Sequence, residues 1–167
     1  MRCVTRSFSL SLGLMLTALA AQAHGTAQVS FVQPEQFADA GDALGEKAGN
    51  LRTLARHLEG LAARRLGDGQ TLSIEVLDVD LAGEVRLARR LHHDVRVLRG
   101  SVDWPRIRLR YMLESAGQVA RRGEQTVADL AYLQRFNRYP GNESMRYEKR
   151  MLDEWFGELF AADVAKQ

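Results

Sequence analysis

Cysteine is almost absent from this chain of 167 residues: the only one is Cys3. A lipoprotein carries its lipid-acceptor cysteine after the apolar part of its export signal, whereas Cys3 precedes the apolar run of this sequence. If residues 1–23 are removed as an export signal, the remaining chain contains no cysteine. Such a domain forms no disulfide and offers neither a thiol nucleophile nor a thiolate metal ligand.

Common catalytic and cofactor-binding motifs are also missing. The sequence contains no Gly-x-Ser-x-Gly, no Gly-x-x-x-x-Gly-Lys, no Gly-x-Gly-x-x-Gly and no His-Glu-x-x-His. These motifs mark serine hydrolases, phosphate-binding loops, dinucleotide-binding folds and zinc proteases respectively. We therefore expect no cofactor, and the sequence identifies no catalytic residue.

The basic and acidic residues of the chain are nearly equal in number. The chain has 23 basic and 21 acidic residues, and two of the bases, Arg2 and Arg6, lie in the first 23 residues, which contain no acid. Without that segment, 21 bases face 21 acids. A chain with no net charge is not held on a polyanion by bulk attraction, so we expect no nucleic-acid partner.

The first 23 residues are predicted to be a secretory signal peptide. Residues 1–6 are basic, residues 7–20 form an apolar run, and Ala-Gln-Ala then ends at Ala23 with small residues where a signal peptidase reads them. The run is shorter than the roughly 20 residues of a membrane span, which disfavours an uncleaved anchor. We expect cleavage after Ala23, with Ala27 as the alternative. The mature chain, 24–167, is then one periplasmic domain without a transmembrane segment.

The pattern of apolar residues in the mature chain predicts an α/β fold. Two helices have apolar residues at three- and four-residue steps, over 45–66 and 143–160. Four strands are predicted over 28–33, 70–81, 106–114 and 119–122, and a weaker helical pattern follows over 124–135. If the first two strands are neighbours, the helix between them makes their pairing parallel. The economical arrangement is a two-layer sandwich, with one small mixed sheet of about four strands and both main helices on one face.

The strand predicted over 70–81 changes the phase of its apolar pattern. Apolar residues occupy even positions up to Val76 and odd positions from Leu77 onwards. One extra residue, a β-bulge, restores a single apolar face, and the alternative is a strand whose second half is covered on both faces.

Five short stretches along the mature chain carry a family resemblance. They are Pro34-Glu35 with Phe37 and Asp39; Asp80-Leu81-Ala82-Gly83-Glu84; Pro105-Arg106-Ile107; Tyr132-Leu133; and Tyr147-Glu148-Lys149-Arg150-Met151-Leu152 with Trp155-Phe156. In order and spacing they resemble the small secreted proteobacterial proteins called domain of unknown function 3016. The resemblance implies an exported, single-domain protein. It implies no activity and no site residue.

Two rows of charged residues are the first candidate site. With the bulge in place, the acidic side chains of one strand and the basic side chains of another project from the face opposite the apolar one. They are Glu75, Asp78, Asp80, Arg106, Arg108 and Arg110. If the strands are neighbours, these rows pair across the sheet. One interpretation is a solvated face with weak ion pairs. Another is a site for a polar or anionic ligand with arginines as bidentate donors, or an acid/base pair if carboxylate pKa values are raised.

Histidines offer a weaker alternative, a metal site. His92 and His93 are adjacent, which hinders both from ligating one ion, and an exposed polar loop is the simpler interpretation. His24 becomes the mature amino terminus if cleavage follows Ala23, and a terminal amine with its own imidazole can clamp copper. An ordinary frayed terminus is the simpler interpretation there as well.

Aromatic residues concentrate near the carboxyl terminus. Seven of the twelve follow residue 130: Tyr132, Phe136, Tyr139, Tyr147, Trp155, Phe156 and Phe160. We expect them to form core, with Trp155 as the main anchor of the last helix. The alternative is a partly exposed patch for a partner, rimmed by Arg135 and Arg138.

Together these observations predict a non-catalytic periplasmic protein that binds an unidentified envelope protein or a small ligand. The export signal, the compact fold and the missing motifs support this prediction. The alternative is a periplasmic enzyme that depends on a metal or on carboxylates.

Overall fold

The computed structural model describes residues 25–41, 44–88, 93–100 and 102–164. The predicted signal peptide and His24 lie outside these residues. Within them the chain forms the following elements: β1 Thr26–Phe31, α1 Leu44–Ala63, β2 Gln70–Asp80, β3 Glu84–Ala88, β4 His93–Val97, β5 Arg106–Ser115, β6 Gln118–Ala128 and α2 Arg146–Val164. Neither helix, in the part described, is long and apolar enough to cross a membrane.

The main sheet has the strand order β1-β2-β5-β6. β1 pairs with β2 in parallel because α1 carries the chain back to the same end of the sheet. β2, β5 and β6 pair antiparallel, and β5 and β6 form a hairpin whose turn contains Ala116 and Gly117 at positive φ. The prediction of a mixed four-stranded sheet is confirmed.

β2 contains the bulge that its apolar pattern predicts. Val76 pairs with Leu109 and Asp78 pairs with Arg108, so Leu77 has no partner on β5. The extra residue returns Val79 to the buried face.

Both helices cover one face of the main sheet, as predicted. Apolar side chains of α1, α2 and the inward-facing positions of β2 and β5 form one core. The most deeply buried include Leu54, Leu58, Leu72, Ile74, Leu109, Leu152 and Phe156. The opposite face of the sheet presents the charged rows to solvent, which makes the fold a two-layer sandwich.

Two segments differ from the sequence prediction. The helix predicted over 124–135 is wrong throughout, because β6 continues as a strand to Ala128, paired with β5, and residues 130–134 form turns. Val127 packs against the core, whereas Leu130 and Leu133 are exposed in the turn that follows. The segment after β2, which lies outside the four predicted strands, forms a separate hairpin, β3-β4. At its start Gly83 has φ +86°, and a Cβ there would lie 2.6 Å from Leu98, so only glycine fits.

Candidate functional site

The structure brings the two predicted charged rows together on the outer face of the sheet. The β2–β5 register places Glu75 opposite Arg110, Asp78 opposite Arg108, and Asp80 opposite Arg106. The ion pairs follow this register closely at both ends: Arg106 Nη2 lies 2.6 Å from Asp80 Oδ2, and Arg110 Nη1 lies 2.8 Å from Glu75 Oε2.

Most of the arginine donors on this face already have acidic partners. Arg110 also donates to Glu124 at 3.1 Å, and Arg108 lies 3.7 Å from the same carboxylate. Asp78 accepts the backbone N–H of Ala38 at 2.9 Å. The three arginine side chains of the row are about half exposed, between 47% and 54%. Ion pairs this exposed contribute little to stability, which favours the interpretation as a solvated face.

One carboxyl of the row has a perturbed pKa. Burial raises the pKa of Asp80, and the neighbouring carboxylates of Asp39 and Asp78 act in the same direction, while Arg106 opposes them. A hollow of about 530 Å³ lies at the other end of the row, lined in part by Ser73 and Glu75. The two features do not coincide, so the row does not form one compact site.

A second candidate site lies at the amino-terminal end of α2, where a cleft of about 310 Å³ opens beside the start of α1 and the β3-β4 hairpin. Its charged and polar lining side chains are Glu46, Asn50, Arg96, Glu143, Ser144, Arg146, Tyr147 and Glu148. Leu81, Leu98 and Met145 supply apolar surface. The charged rows do not contribute to it.

The Asp39–Arg96 ion pair lies beside this cleft. Arg96 Nη1 is 2.6 Å from Asp39 Oδ2, and Nη2 is 3.1 Å from Oδ1, so the contact is bidentate. Arg96 also donates to the carbonyl of Gly83 at 3.1 Å. Burial by itself raises the pKa of Asp39, but the hydrogen bonds from Arg96 and from the Gly41 N–H outweigh burial and hold it below its usual value. The pair therefore stays ionised.

Glu148 is the most buried acid of the cleft, with 3% of its surface exposed. Its carboxyl accepts the backbone N–H of Ala82 at 2.8 Å and lies in the first turn of α2, where the helix dipole favours a negative charge. Burial nevertheless raises the pKa of Glu148, against the effect of the Ala82 hydrogen bond and of Arg96. The group can therefore hold a proton under conditions in which an exposed glutamate does not.

Arg146 and Glu46 line the same cleft and carry opposite charges. Neither belongs to an ion pair within the part of the chain that the structure describes. The Arg146 guanidinium lies 5.2 Å from the centre of the Tyr147 ring, and its Nε is buried without a hydrogen-bond partner among those residues. Glu143, by contrast, is paired with Lys149. Among the described residues, the cleft thus has one guanidinium and one carboxylate that form no close ion pair. Glu46 still interacts electrostatically with Arg96, which is itself paired with Asp39.

A third polar cluster joins the two helices. His57 Nε2 lies 3.0 Å from Asp153 Oδ1, and Asp153 Oδ2 accepts the Tyr139 hydroxyl at 2.7 Å and Arg138 Nη2 at 2.5 Å. Burial raises the pKa of Asp153, but the His57 and Tyr139 hydrogen bonds outweigh it and the net shift is downward. Because each carboxylate oxygen is already hydrogen-bonded, we assign this cluster to helix packing.

The histidine alternatives fall mostly outside the described residues. His24 and His92 lie outside them, and His93 is described only by its backbone, which pairs with Ala88 in the β3-β4 hairpin. Among the described side chains, no group of three or more His, Cys, Asp and Glu is arranged to hold a metal ion.

The aromatic residues divide between the two interpretations. Tyr132, Trp155 and Phe156 are buried, and the Trp155 Nε1–H donates to Gln125 Oε1 at 2.7 Å. Phe136 is 88% exposed. The core interpretation is confirmed for the three buried rings and is wrong for Phe136.

Sequence reasoning did not single out the cleft. Asp39 and Arg96 are 57 residues apart, and no spacing rule connects positions so distant. The available signal was the family resemblance, because Asp39, the run from Asp80 to Glu84 and the run from Tyr147 to Leu152 all lie at or beside the cleft.

Comparison with known proteins gives one positive result. The sequence model of a family described as protein of unknown function (DUF3016) matches residues 25–158. A search of curated proteins finds no match. The matched region extends from β1 into α2 and includes every residue of the cleft.

Proposed function

The chain belongs to the DUF3016 family of proteins of unknown function, and we propose that it is a non-catalytic periplasmic protein that binds a small zwitterionic ligand in the cleft at the amino-terminal end of α2. The periplasmic location rests on the basic, apolar and small-residue segments of residues 1–23. The ligand class rests on the lining of the cleft.

The observation that carries this proposal is the presence of Arg146 and Glu46 on one cleft, without ion-pair partners among the described residues. A guanidinium binds a carboxylate through two parallel hydrogen bonds, and a carboxylate binds an ammonium group. A ligand that carries both groups satisfies both side chains. Free amino acids and short peptides are the simplest molecules of this class.

The size and the apolar lining of the cleft agree with a small ligand. Its volume of about 310 Å³ is at the lower end of the roughly 300–1,000 Å³ that is usual for ligand sites. Leu98 and Met145 offer apolar contact beside the charged groups. The partly buried ion pair of Asp39 and Arg96 fixes one wall, so the site is largely formed before a ligand binds.

Thermal melting of the protein purified from the periplasm tests the proposal against a panel of amino acids and dipeptides. A ligand at 100 times its Kd stabilises the folded state by about 2.7 kcal/mol, which raises Tm by several degrees. We expect the shift to disappear when the ligand is N-acetylated or carboxyamidated, and in the variant Arg146→Gln.

Arg108→Gln is the matched control. Arg108 belongs to the outer sheet face and does not line the cleft. A shift that survives Arg146→Gln but disappears in Arg108→Gln would move the site to the charged rows. The absence of any shift across the panel would reject zwitterionic ligands.

A second candidate function, a carboxylate-dependent periplasmic enzyme, is favoured by one observation, the raised pKa of the buried Glu148. A carboxyl that keeps its proton can act as a general acid towards a ligand in the cleft. For any ligand that raises Tm, incubation with the protein followed by mass spectrometry separates the two functions. An enzyme converts that ligand and loses turnover in Glu148→Gln, whereas a binding protein returns it unchanged.

A further inference from the structure

β6 lies at the edge of the main sheet and pairs only with β5. It is eleven residues long, and eight of its residues are exposed. Among the described residues, no backbone hydrogen bond outside the β5–β6 ladder involves the strand. Its outer edge therefore presents a row of free N–H and C=O groups.

The usual protections of a sheet edge are weak in this strand. Proline and lysine, which commonly interrupt or repel an approaching strand, are both absent from β6. The β5–β6 register shifts once, leaving Ala120 without a partner on β5. The regular part of the β5–β6 ladder therefore begins after this bulge and continues to Ala128.

We propose that a second copy of this chain pairs with β6 along this edge, antiparallel, about a two-fold axis at Gly123. Such a dimer joins two four-stranded sheets into one continuous sheet of eight strands. Pairing that is symmetric about Gly123 places Arg122 opposite Glu124 of the partner, Arg121 opposite Gln125 of the partner, and Ala120 opposite Thr126 of the partner. The interface is isologous, as in most homodimers.

Charge selects this register over its neighbours. The side chains of Arg122 and Glu124 lie on the same outer face of the sheet, and their β5 partners are Met112 and Arg110. About Gly123 each copy therefore supplies one cross-strand Arg–Glu pair, two pairs in all. A register centred on Arg122 would instead oppose two arginines, and one centred on Glu124 would oppose two glutamates, and both arrangements are unfavourable.

The intramolecular contacts of these residues permit the new pairs. Arg122 has no ion pair within the described part of the chain. Glu124 accepts from Arg110 through Oε2, but a carboxylate has about four acceptor positions, so a second arginine can share it.

Glycine at the axis also fits the proposal. The Tyr111 ring lies against the inner side of Gly123, where an added Cβ would lie 3.0–3.1 Å from the ring and its hydroxyl. Because glycine has no side chain, the buried Tyr111 ring can pack directly against the backbone of β6 at this position. No side chain at the axis then hinders the approach of a second strand.

Analytical ultracentrifugation of the purified protein over a concentration series tests the dimer. We expect a concentration-dependent dimer, because one pair of strands buries a small interface. Arg122→Glu places one glutamate opposite another in both cross-strand pairs and should weaken association at least tenfold. Arg56→Glu, on the exposed surface of α1, should leave association unchanged. The double variant Arg122→Glu with Glu124→Arg restores opposite charges and should recover the dimer.

Disulfide trapping tests the register independently of the charges. In a Cys3→Ser background the chain contains no other cysteine. Ala120→Cys with Thr126→Cys should then form a crosslinked dimer under mild oxidation, whereas Ala120→Cys with Ala128→Cys should not. A protein that is monomeric at every soluble concentration, or that crosslinks equally in both variants, would overturn the proposal. Arg146→Gln should leave association unchanged, which separates the dimer from ligand binding in the cleft.

Discussion

The carboxylate of Asp39 and the guanidinium of Arg96 form a bidentate ion pair that connects two parts of the fold. Asp39 follows β1, and its backbone is hydrogen-bonded to Val79 and Leu81 at the end of β2. Arg96 lies on β4, in the separate hairpin. The pair therefore fastens the small hairpin to the main sheet and fixes one wall of the cleft.

Loss of this pair should destabilise the fold. Asp39→Ala leaves Arg96, whose side chain is only 23% exposed, without its acidic partner. We expect the free energy of unfolding to fall by about 1–3 kcal/mol, below the 3–5 kcal/mol typical of a fully buried pair, because water still reaches both groups. Chemical denaturation measures the change, and Glu35→Ala at an exposed position is the control.

The effect of Asp39→Ala should depend on pH. The folded pKa of Asp39 is below its ordinary value of 3.8, so its contribution to stability is complete above about that pH and is lost as the pH falls through the folded pKa. The difference between the wild type and Asp39→Ala should be constant near neutral pH and shrink in strong acid. A difference that grows on acidification would contradict the assigned ion pair.

Glu148 should show the opposite dependence. Its folded pKa is above its ordinary value of 4.5, so between the two pKa values the folded state keeps a proton that the unfolded state loses. The contribution of Glu148 to the free energy of unfolding therefore declines as the pH rises from about 4.5 to the folded pKa, and it is constant above that pKa. Glu148→Gln removes this decline, and its Tm relative to the wild type should rise over the same interval. A difference independent of pH would show that the carboxyl titrates normally.

Local patterns predicted much of the fold. The phase change between Val76 and Leu77 predicted the bulge, and the helix after β1 predicted the parallel pairing of β1 and β2. The steps between Leu152, Trp155 and Leu159 predicted the buried face of α2. Each of these signals lies within a few residues of the feature that it predicts.

The rest depends on contacts that no local pattern records. Gly123 and two adjacent arginines interrupt the alternation of β6, and only pairing with β5 makes the segment a strand. The sequence left open whether the strands of the two charged rows are neighbours, and the pairing of β2 with β5 makes them so. The cleft combines side chains from α1, β4 and the start of α2, and its assembly requires the tertiary fold.

The amino terminus of the exported protein is a further prediction. Cleavage after Ala23 produces a chain that begins at His24, and the basic and apolar segments before it are removed. The intact mass of the protein recovered from the periplasmic fraction measures this directly. A mass that includes residues 1–23, or recovery in the cytoplasmic fraction alone, would contradict the prediction. A chain beginning at Gln28 would instead identify Ala27 as the cleavage site.

Trp155 is expected to be the main anchor of α2. Its side chain is 6% exposed, lies edge-on to Tyr111 at 6.0 Å between ring centres, and donates Nε1–H to Gln125. Truncation of a buried Trp or Phe to Ala typically costs about 3–5 kcal/mol, through lost transfer energy and the cavity that remains. Because domains are stable by only about 5–15 kcal/mol, Trp155→Ala should melt far below the wild type.

Phe136→Ala provides the matched control. Phe136 is also an aromatic residue near the carboxyl terminus, but it is 88% exposed, so its truncation should change the free energy of unfolding by no more than about 0.5 kcal/mol. Trp155→Phe keeps most of the apolar contact and loses the hydrogen bond to Gln125, which predicts an intermediate loss of about 0.5–1.5 kcal/mol plus a small cavity cost. Thermal melts of the three variants should therefore rank Phe136→Ala above Trp155→Phe and Trp155→Ala last. An unchanged midpoint for Trp155→Ala would reject its role as the anchor, because no buried ring of this size can be removed without a cavity.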